Sequence, residues 1–423
     1  MEYPGKKKER KKKRKRKGLG KVASNIIITI DGPSGSGKTT AAKLVAKKLN
    51  LNYCNSGNVY RAITYLALSK NIDISSEKEI MKLFSEKEIV IKNDSVYFDD
   101  SDITPYFRNK DVSENVSTIA SYKEIRDYVT NILRKQVKGN GIVMEGRDIG
   151  SFVFPDCPFK FYLDAGLSIR KERRLDDSEI EERDKKDSSR LYAPLVRSKD
   201  SLLIKTDDIP SDMVSERIIE KVRFHFKKNY LYFLASVILP LFFKIFLRLS
   251  VFGADNIPKQ GPFMVASNHL SFLDPPVIGI AFSKRELHYF AKKELFIPIF
   301  GWLISKLNAH PVDRSGFNKE TIKNVIKILE NGGAVLIFPE GTRGGKKAEP
   351  GIGMITYLSN KNIRTPIIPV KVIGTDKALG RGEIIIKPRK TTVIIGRPIE
   401  PENLPLKDYQ KTAEIVMKKI ETL

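Results

Sequence analysis

Two sequence signatures, the second of which consists of two motifs, lie far apart in this chain, and each requires its own framework of strands and helices. GPSGSGKT occupies 32–39, whereas NHLSFLD begins at Asn268 and FPEGTR begins at Phe338. A chain of 423 residues is long for one domain, since domains commonly hold about 150 residues. We therefore expect two separately folded domains, each with its own core.

Much of the positive charge is concentrated near the start of the chain. The net charge is +25, and 6–17 contain eleven basic residues and one acidic residue, which together supply +10. Such a run repels itself and attracts polyanions. We predict that 1–24 form a disordered basic arm. The arm could bind an anionic membrane surface or nucleic acid, or it could be a solvated tail with no dedicated partner. No specific nucleic acid is expected, because no DNA- or RNA-binding module accompanies the arm.

Cysteine usage and the first apolar run bear on the cellular compartment. Cys54 and Cys157 are the two cysteines, and their spacing supports neither a disulfide framework nor a zinc site. The run Ile26–Ile30 is too short for the core of a signal peptide. These features indicate a cytoplasmic protein.

The first half of the chain alternates short apolar runs with segments of helical periodicity. Strands are predicted at Ile26–Ile30, Gly141–Glu145 and Phe159–Leu163, and helices at Thr39–Leu49, Lys123–Lys138 and Met213–Phe226. This alternation predicts an α/β domain with a parallel sheet. We place that domain over 25–226.

A strongly apolar segment separates the two halves. Asn229–Phe243 carry no formal charge, and two basic residues four positions apart follow them. A spanning helix needs about 20 apolar residues, and Pro240 would bend this one. We predict that 227–252 form helices that lie in the membrane interface. A single tilted span that runs to Phe252 and a buried core helix are the alternatives.

The α/β pattern returns after the apolar segment. Strands are predicted at Phe263–Ser267, Ala334–Phe338 and Ile367–Val372, with a helix at Lys319–Asn331. We place a second, separate α/β domain over 253–423.

The glycine-rich motif predicts a site for a nucleoside triphosphate. Between a strand and a helix, its backbone amides can surround phosphate oxygens, while Lys38 meets the β- and γ-phosphate charges and Thr39 holds Mg²⁺. The predicted ATP site consists of Gly32, Pro33, Ser34, Gly35, Ser36, Gly37, Lys38 and Thr39. The motif does not identify the acceptor of the phosphoryl group.

Three further segments carry a resemblance to a known family. NSGNVYR at 55–61, EGRDIGSFVFPD at 145–156 and ERDKKDSSRLYAPL at 182–195 resemble the cytidylate kinases. With the glycine-rich motif, the resemblance spans most of 25–220. It implies a nucleoside monophosphate kinase fold and phosphoryl transfer from ATP, with Mg²⁺, to CMP or dCMP.

The resemblance also implies a set of nucleotide-binding residues. Ser56, Arg61 and Arg147 would face the monophosphate, Arg183 and Arg190 would close over it from a lid, Ser117, Arg126 and Asp148 would read the cytosine, and Asp187 would bind a ribose hydroxyl. Transfer between two polyanions independently calls for such clustered arginines.

The chain departs from the family in two places. Asn55 stands where an acidic residue is usual, and the segment between Asp164 and Arg183 is shorter than in typical members. We expect these two departures to alter how the lid closes over the bound nucleotides.

The second motif predicts a general base. Four residues separate His269 from Asp274, so the imidazole and the carboxylate can lie within one helical turn of each other. Asp274 could then fix the tautomer of His269, while His269 takes a proton from an attacking hydroxyl. Alternatively, Asp274 precedes two prolines and could simply cap a helix.

The surrounding blocks resemble those of 1-acyl-glycerol-3-phosphate acyltransferases. They are AKKELFIPIFGWLISKLNAHPVDR at 291–314, FPEGTR at 338–343 and TPIIPVKVIG at 365–374. The resemblance covers nearly all of 253–405. It implies a glycerolipid acyltransferase that acylates lysophosphatidate, giving phosphatidate, from a thioester of coenzyme A or acyl carrier protein.

The resemblance places the lipid acceptor beside the base. His269 and Asp274 would be catalytic, and Arg314, Glu340, Gly341 and Arg343 would form the acceptor site, with Lys292 or Lys293 adding charge. A guanidinium can pair two phosphate oxygens. Such an enzyme would associate peripherally or monotopically with the inner face of the cell membrane.

Two other functions fit parts of this pattern. One is an acyltransferase whose nucleotide-binding half is a degenerate regulatory module. The other is a nucleic-acid-binding P-loop protein whose arm grips phosphates.

Overall fold

The structure is a computed structural model that describes 26–92, 94–137, 139, 141–174, 180–226, 229–312, 318–345 and 347–423. The chain divides into two compact units, Met1–Arg223 and Phe224–Leu423. We call them the N-terminal and the C-terminal unit. The predicted basic arm and Arg314 lie outside the described residues.

The N-terminal unit is built on a five-stranded parallel sheet with the order β2-β6-β1-β7-β8. A small antiparallel sheet contains β3, β4 and β5. The strands are β1 Ile26–Asp31, β2 Asn52–Asn55, β3 Val90–Lys92, β4 Ser95–Phe98, β5 Ser101–Asp102, β6 Gly141–Gly146, β7 Phe159–Asp164 and β8 Leu202–Lys205.

Helices cover this sheet. They are α1 Lys38–Leu49, α2 Ser56–Ser69, α3 Glu77–Lys82, α4 Lys110–Ile119, α5 Lys123–Lys135, α6 Leu167–Arg173, α7 Ile180–Ser188 and α8 Ser211–Phe226, with a 3₁₀ turn at Thr104–Arg108 and a π-turn at Ile149–Val153. The predicted strands and helices of this half are confirmed. Because the strands are parallel, the loops that follow β1, β2, β6 and β7 meet at one edge, where α/β proteins bind ligands.

The C-terminal unit contains a seven-stranded sheet with the order β12-β11-β13-β10-β14-β15-β9. Neighbouring strands are parallel except for the antiparallel pair β14 and β15. The strands are β9 Ser250–Phe252, β10 Phe263–Ser267, β11 Leu287–Lys292, β12 Ala309–Val312, β13 Ala334–Ile337, β14 Ile367–Ile373 and β15 Thr392–Ile395.

The helices of this unit lie on both faces of its sheet. They are α9 Tyr230–Phe246, α10 Asp274–Ala281, α11 Pro298–Lys306, α12 Lys319–Glu330, α13 Gly351–Asn360, α14 Thr375–Ala378 and α15 Tyr409–Glu421, with 3₁₀ turns at Ala254–Asn256, Lys293–Leu295 and Pro401–Asn403. Strand side chains alternate between the faces. Phe263 and Val265 therefore enter one core, and Met264 and Ala266 enter the other.

The apolar segment between the halves forms α9, which continues through Pro240. Tyr232 and Phe243 are buried against the C-terminal unit, but most of the helix is exposed, so the buried-core alternative is wrong. The predicted end of a tilted span at Phe252 is wrong, because α9 ends at Phe246 and β9 pairs with β15. Together α8 and α9 are the one stretch in the described residues long and apolar enough to cross a membrane, which alone is weak support for a membrane protein.

Candidate active sites

The phosphate loop of the N-terminal unit joins the central strand β1 to the start of α1. Gly32 has φ 146° and Gly37 has φ 84°. A Cβ on Gly32 would lie 2.0 Å from the carbonyl oxygen of Leu163 on β7, so only glycine fits this position. The loop therefore presents its amides at a helix N-terminus, the arrangement that binds phosphate.

Lys38 and Thr39 point toward the edge of the sheet from the first turn of α1. The Lys38 Nζ donates to the carbonyl oxygen of Pro33 at 2.6 Å. Burial, and then repulsion from Arg147, lower the Lys38 pKa to about 7. Thr39 Oγ1 donates to Glu145 Oε2 at 2.9 Å. An anionic ligand in the loop would favour the charged lysine.

Glu145, at the end of β6, was not singled out by the sequence analysis. It is 2% exposed and also accepts a hydrogen bond from the Tyr53 hydroxyl. Hydroxyl and carboxylate oxygens suit Mg²⁺, so Thr39 and Glu145 form a donor set that fits this ion. The sequence signal that could have identified Glu145 is an acidic residue at the end of β6, the strand that lies next to β1, which leads into the phosphate loop.

A cavity of about 650 Å³ opens beside the phosphate loop. Ser34, Gly35, Ser36, Gly37, Lys38 and Thr39 line one part of it. The other part is lined by all nine residues predicted for the nucleotide: Ser56, Arg61, Ser117, Arg126, Arg147, Asp148, Arg183, Asp187 and Arg190. The structure thus brings together residues that are scattered over more than half of this unit's sequence.

Carboxylates hold several of these arginines in place. Arg126, 1% exposed, pairs with Asp148 and donates to the carbonyl oxygen of Ala120 at 2.7 Å. Asp187 accepts from Arg147 Nε at 2.7 Å and pairs with Arg190. Asp187 is therefore committed to two guanidinium groups, and its predicted contact with a ribose hydroxyl stays a prediction.

The arginines also repel one another, which makes the cavity attractive to anions. Burial, followed by the charges of Arg183, Arg174 and Arg147, lowers the Arg61 pKa to about 10. A phosphate group would relieve this repulsion.

Another carboxylate, that of Asp184, links α7 to the phosphate loop. Asp184 Oδ1 accepts from the Ser34 amide at 3.1 Å, and the same carboxylate pairs with Arg170 of α6. Arg170 donates to the Ser34 carbonyl oxygen at 3.0 Å, and Arg174 donates to Ser34 Oγ at 2.7 Å. Sequence reasoning missed these three residues, although Asp184 adjoins the predicted Arg183.

In the C-terminal unit, the loop after β10 carries a histidine and an aspartate in direct contact. His269 Nδ1 lies 2.9 Å from Asp274 Oδ2. The buried Asp274 also accepts from the amides of Leu270 at 2.6 Å and Ser271 at 2.8 Å, and from Thr375 Oγ1 at 2.5 Å. A carboxylate with this many hydrogen-bond donors is held in one orientation.

The helix-cap alternative for Asp274 is wrong. Helix α10 begins at Asp274 itself, and the carboxylate accepts the amides of the loop before the helix rather than those of its first turn.

Neighbouring residues fix the position of the imidazole ring. Phe338, directly after β13, stacks on His269 with ring centroids 4.0 Å apart. The Asn268 side chain bonds both the amide and the carbonyl oxygen of Val372 on β14, at 2.8 and 2.9 Å. Sequence reasoning assigned no role to Asn268 and Thr375, because their partners, Val372 and Asp274, lie more than a hundred residues away in sequence.

The predicted acceptor residues follow β13 in a turn beside the histidine. The Gly344 amide donates to the His269 carbonyl oxygen at 2.8 Å. Burial, opposed by a hydrogen bond from the His269 backbone, raises the Glu340 pKa to about 7. Gly341 adopts φ 66°, and the Arg343 guanidinium lies 3.8 Å from the centroid of the Phe272 ring. The structure therefore gathers Glu340, Gly341 and Arg343 near His269.

The fold and cavity of the N-terminal unit define a P-loop nucleotide kinase. The cytidylate kinase family model matches 28–224. A cytidylate kinase of Clostridioides difficile is 39% identical over 212 residues, which are 47% of this chain and 98% of that protein. The chain therefore belongs to the cytidylate kinase family.

Two other relatives show the same match. A cytidylate kinase of Clostridium tetani is 39% identical over 46% of this chain and 92% of its own length. A bifunctional pantoate ligase/cytidylate kinase of Prochlorococcus marinus is 38% identical over 46% of this chain and 42% of its own length. Family membership implies the use of ATP and Mg²⁺.

The second family model, described as acyltransferase, matches 248–373, and the C-terminal half is an acyltransferase domain. A crystal structure of the 1-acyl-sn-glycerophosphate (LPA) acyltransferase PlsC from Thermotoga maritima aligns over 49% of this chain and 95% of that chain, at 24% identity and a TM-score of 0.36. The two family models together identify a bifunctional protein.

Proposed function

We propose that the N-terminal unit transfers the γ-phosphoryl group of ATP to CMP or dCMP, giving CDP or dCDP. The observation that carries this proposal is the single cavity that joins the phosphate loop to all nine predicted nucleotide residues. Its volume of about 650 Å³ suits a ligand of nucleotide size.

In this mechanism the protein aligns two polyanions and neutralises their charge. Arg61, Arg147 and Arg183 bind the acceptor phosphate, and Lys38 binds the donor phosphates. Thr39 and Glu145 would hold Mg²⁺, which neutralises charge on the transferring group. The buried pair of Arg126 and Asp148 presents a fixed pattern of donors and acceptors to the cytosine.

We propose that the C-terminal unit transfers an acyl group from a thioester to the free hydroxyl of 1-acyl-glycerol 3-phosphate, giving phosphatidate. The contact of His269 Nδ1 with the immobilised Asp274 carries this proposal, because it leaves Nε2 as the proton acceptor. Arg343 and Arg314 would bind the phosphate of the acceptor. The acyl donor is a thioester of coenzyme A or acyl carrier protein.

The same proposal assigns roles to the remaining segments. The kinase domain comprises 25–226 and the acyltransferase domain 253–423. Within the segment 227–252, α9 lies in the interface of the cell membrane on its cytoplasmic side, whereas β9 at the end of the segment belongs to the acyltransferase sheet. The arm 1–24 adds attraction to anionic lipid of about 1 kcal/mol per well-placed basic residue.

A substrate panel tests both activities on the full chain. Purified protein is assayed with ATP and CMP, dCMP, UMP or AMP, and with acyl thioesters and lysophosphatidate or an uncharged lysolipid. We expect CMP or dCMP and lysophosphatidate to be the preferred acceptors. Binding of nucleotide without turnover would instead indicate a regulatory module, and preferred turnover of another nucleotide would refute the assignment of the acceptor.

A further inference from the structure

An irregular loop between α14 and β15 combines exposed apolar side chains with positive charge. We call 380–390 the basic loop. Ile384 is 93% exposed and Ile385 is 73% exposed. Around them stand the four basic residues Arg381, Lys387, Arg389 and Lys390. Glu383, its acidic residue, pairs with Lys387 at 2.5 Å. Two adjacent isoleucines with this exposure bury little apolar surface and so contribute little to the stability of the loop.

The base of the basic loop is fixed beside the C-terminal end of α9. Ile386 packs against the same core as Leu239 and Phe246 of α9. Just beyond the loop, the Thr391 amide donates to the Leu247 carbonyl oxygen at 3.0 Å. The exposed isoleucines therefore project from a firmly held base next to α9.

The outer face of α9 is apolar along its whole length. Exposed apolar or aromatic side chains recur at spacings of three and four residues, at Tyr230, Phe233, Leu234, Val237, Ile238, Leu241, Phe242 and Ile245. A helix on the surface of a soluble domain normally carries polar residues on its outer face. Lys244 and Arg248 add exposed positive charge at the end that adjoins the basic loop.

A second exposed apolar helix, α11, adjoins the other end of α9. The Asn229 side chain, which caps α9, donates to the carbonyl oxygen of Lys306 at 2.7 Å and contacts the Asn308 side chain at 3.1 Å. Helix α11 exposes Ile299 and Trp302, at 85% and 59%. Exposed apolar groups therefore adjoin α9 at both of its ends.

We propose that the basic loop and α11 are two further anchors that, together with α9, dock the acyltransferase unit on an anionic bilayer. This inference rests on the proposed transfer to a lipid acceptor and deepens it. The combination of inserted isoleucines with flanking lysine and arginine matches the layered structure of an anionic leaflet, an apolar interior below charged headgroups. An acidic carrier protein would meet the charges but leave both isoleucines in water.

The basic loop is also connected to the catalytic loop. Ser271 Oγ donates to the Leu379 carbonyl oxygen at 2.6 Å, directly before the basic loop. Thr375, which bonds Asp274, begins the short helix α14 that leads to it. Insertion of the loop would hold the active site at the lipid surface, so that an amphiphilic acceptor need not leave it.

The test replaces both isoleucines in the full chain by serine, Ile384→Ser with Ile385→Ser, and measures binding to vesicles of phosphatidylglycerol and phosphatidylcholine by flotation. A control replaces two half-exposed valines of the other unit, Val90→Ser with Val196→Ser. We expect at least about hundredfold weaker binding for the loop variant, since each inserted isoleucine contributes at least about tenfold to binding, and unchanged binding for the control. Equal binding of both variants would overturn the proposal.

Two further measurements separate the possible causes. Acyl transfer to a short-chain, water-soluble lysophosphatidate should be unchanged in the loop variant, whereas its absence in the wild type would refute the proposed reaction itself. Replacing Arg389 and Lys390 by Gln should weaken binding to anionic but not to neutral vesicles. If that variant binds vesicles normally but has a raised KM for acyl-carrier-protein thioesters alone, the basic loop is instead a docking site for an acidic protein.

Discussion

The two proposed active sites of this chain differ in how many charged residues they bring together. Seven arginines from α2, α5, α6, α7 and three intervening loops line the kinase cavity, and carboxylates hold several of them. The proposed acyltransferase centre is one imidazole in the loop after β10 and one carboxylate at the start of α10. Phosphoryl transfer requires neutralisation of charge spread over two polyanions, whereas acyl transfer requires one well-oriented base.

The largest effect is expected for a substitution in the proposed acyltransferase centre. Asp274→Asn keeps the shape of the residue but removes the negative charge that fixes the tautomer of His269. We expect acyl transfer to fall about 10⁴-fold, as when the carboxylate of a catalytic triad is neutralised, while CMP phosphorylation is unchanged. Initial rates with a soluble acyl thioester provide the measurement. A loss of less than tenfold would mean that His269 is oriented by other groups.

The kinase cavity is tested by removing one of the carboxylate charges that hold its arginines in place. Asp184→Asn weakens the contact of α7 with the Ser34 amide and removes the charge that faces Arg170. We expect kcat for CMP phosphorylation to fall about 30-fold, since hydrogen bonds to charged groups contribute about 1.5–3 kcal/mol. Steady-state kinetics with ATP and CMP give the values.

The matched control for this variant is Asp212→Asn. Asp212 forms an exposed ion pair with Lys48 on the same unit, and such pairs contribute about 0–1 kcal/mol. Equal effects of the two substitutions would argue against a positioning role for Asp184.

A smaller effect is expected from loss of the side-chain hydroxyl that donates to the Asp274 carboxylate. Thr375→Val removes the hydroxyl that donates to Asp274 Oδ1 at 2.5 Å. We expect acyl transfer to fall about tenfold because one charge-assisted hydrogen bond is lost. Thr375→Ser keeps the hydroxyl and should retain most of the activity, so similar losses in both variants would point to packing instead.

The smallest expected effect is a pH-dependent change in stability. Burial raises the Glu340 pKa from 4.5 to about 7, so its contribution to stability is fully present below pH 4.5 and is lost as the pH rises to 7. Glu340→Gln should therefore gain about 1–2 kcal/mol relative to the wild type over this range, after allowance for partial exposure.

The single tryptophan, Trp302, reports unfolding of the C-terminal unit alone. Denaturant unfolding followed by its fluorescence at pH 4.5 and pH 7.5 provides the measurement. A pH-independent difference between the variant and the wild type would show that Glu340 does not titrate in this range.

Local patterns predicted the fold better than they predicted the contacts within the sites. The alternation of apolar runs and helical periods located the central strands of both sheets, and His269 and Asp274 were found because their contact is local. The roles of Glu145 and Asp184 were missed because their partners, Thr39 and Ser34, lie more than a hundred residues away in sequence. Such pairings are set by strand order, which periodicity does not encode.

The apolar segment shows a further limit of sequence reasoning. Its composition left three interpretations open. The exposure of α9 excludes the buried core helix, and the pairing of β9 with β15 shows that the helix ends before Phe252. Whether the exposed face meets a membrane depends on its environment, and composition alone does not identify that environment.

The central claim is that one chain carries two independent active sites. The most direct test assays the wild type, Lys38→Ala and His269→Ala for both CMP phosphorylation and lysophosphatidate acylation. The account predicts that Lys38→Ala abolishes only the first activity and His269→Ala only the second. A wild type that lacks either activity, or a substitution that abolishes both without unfolding the protein, would contradict it.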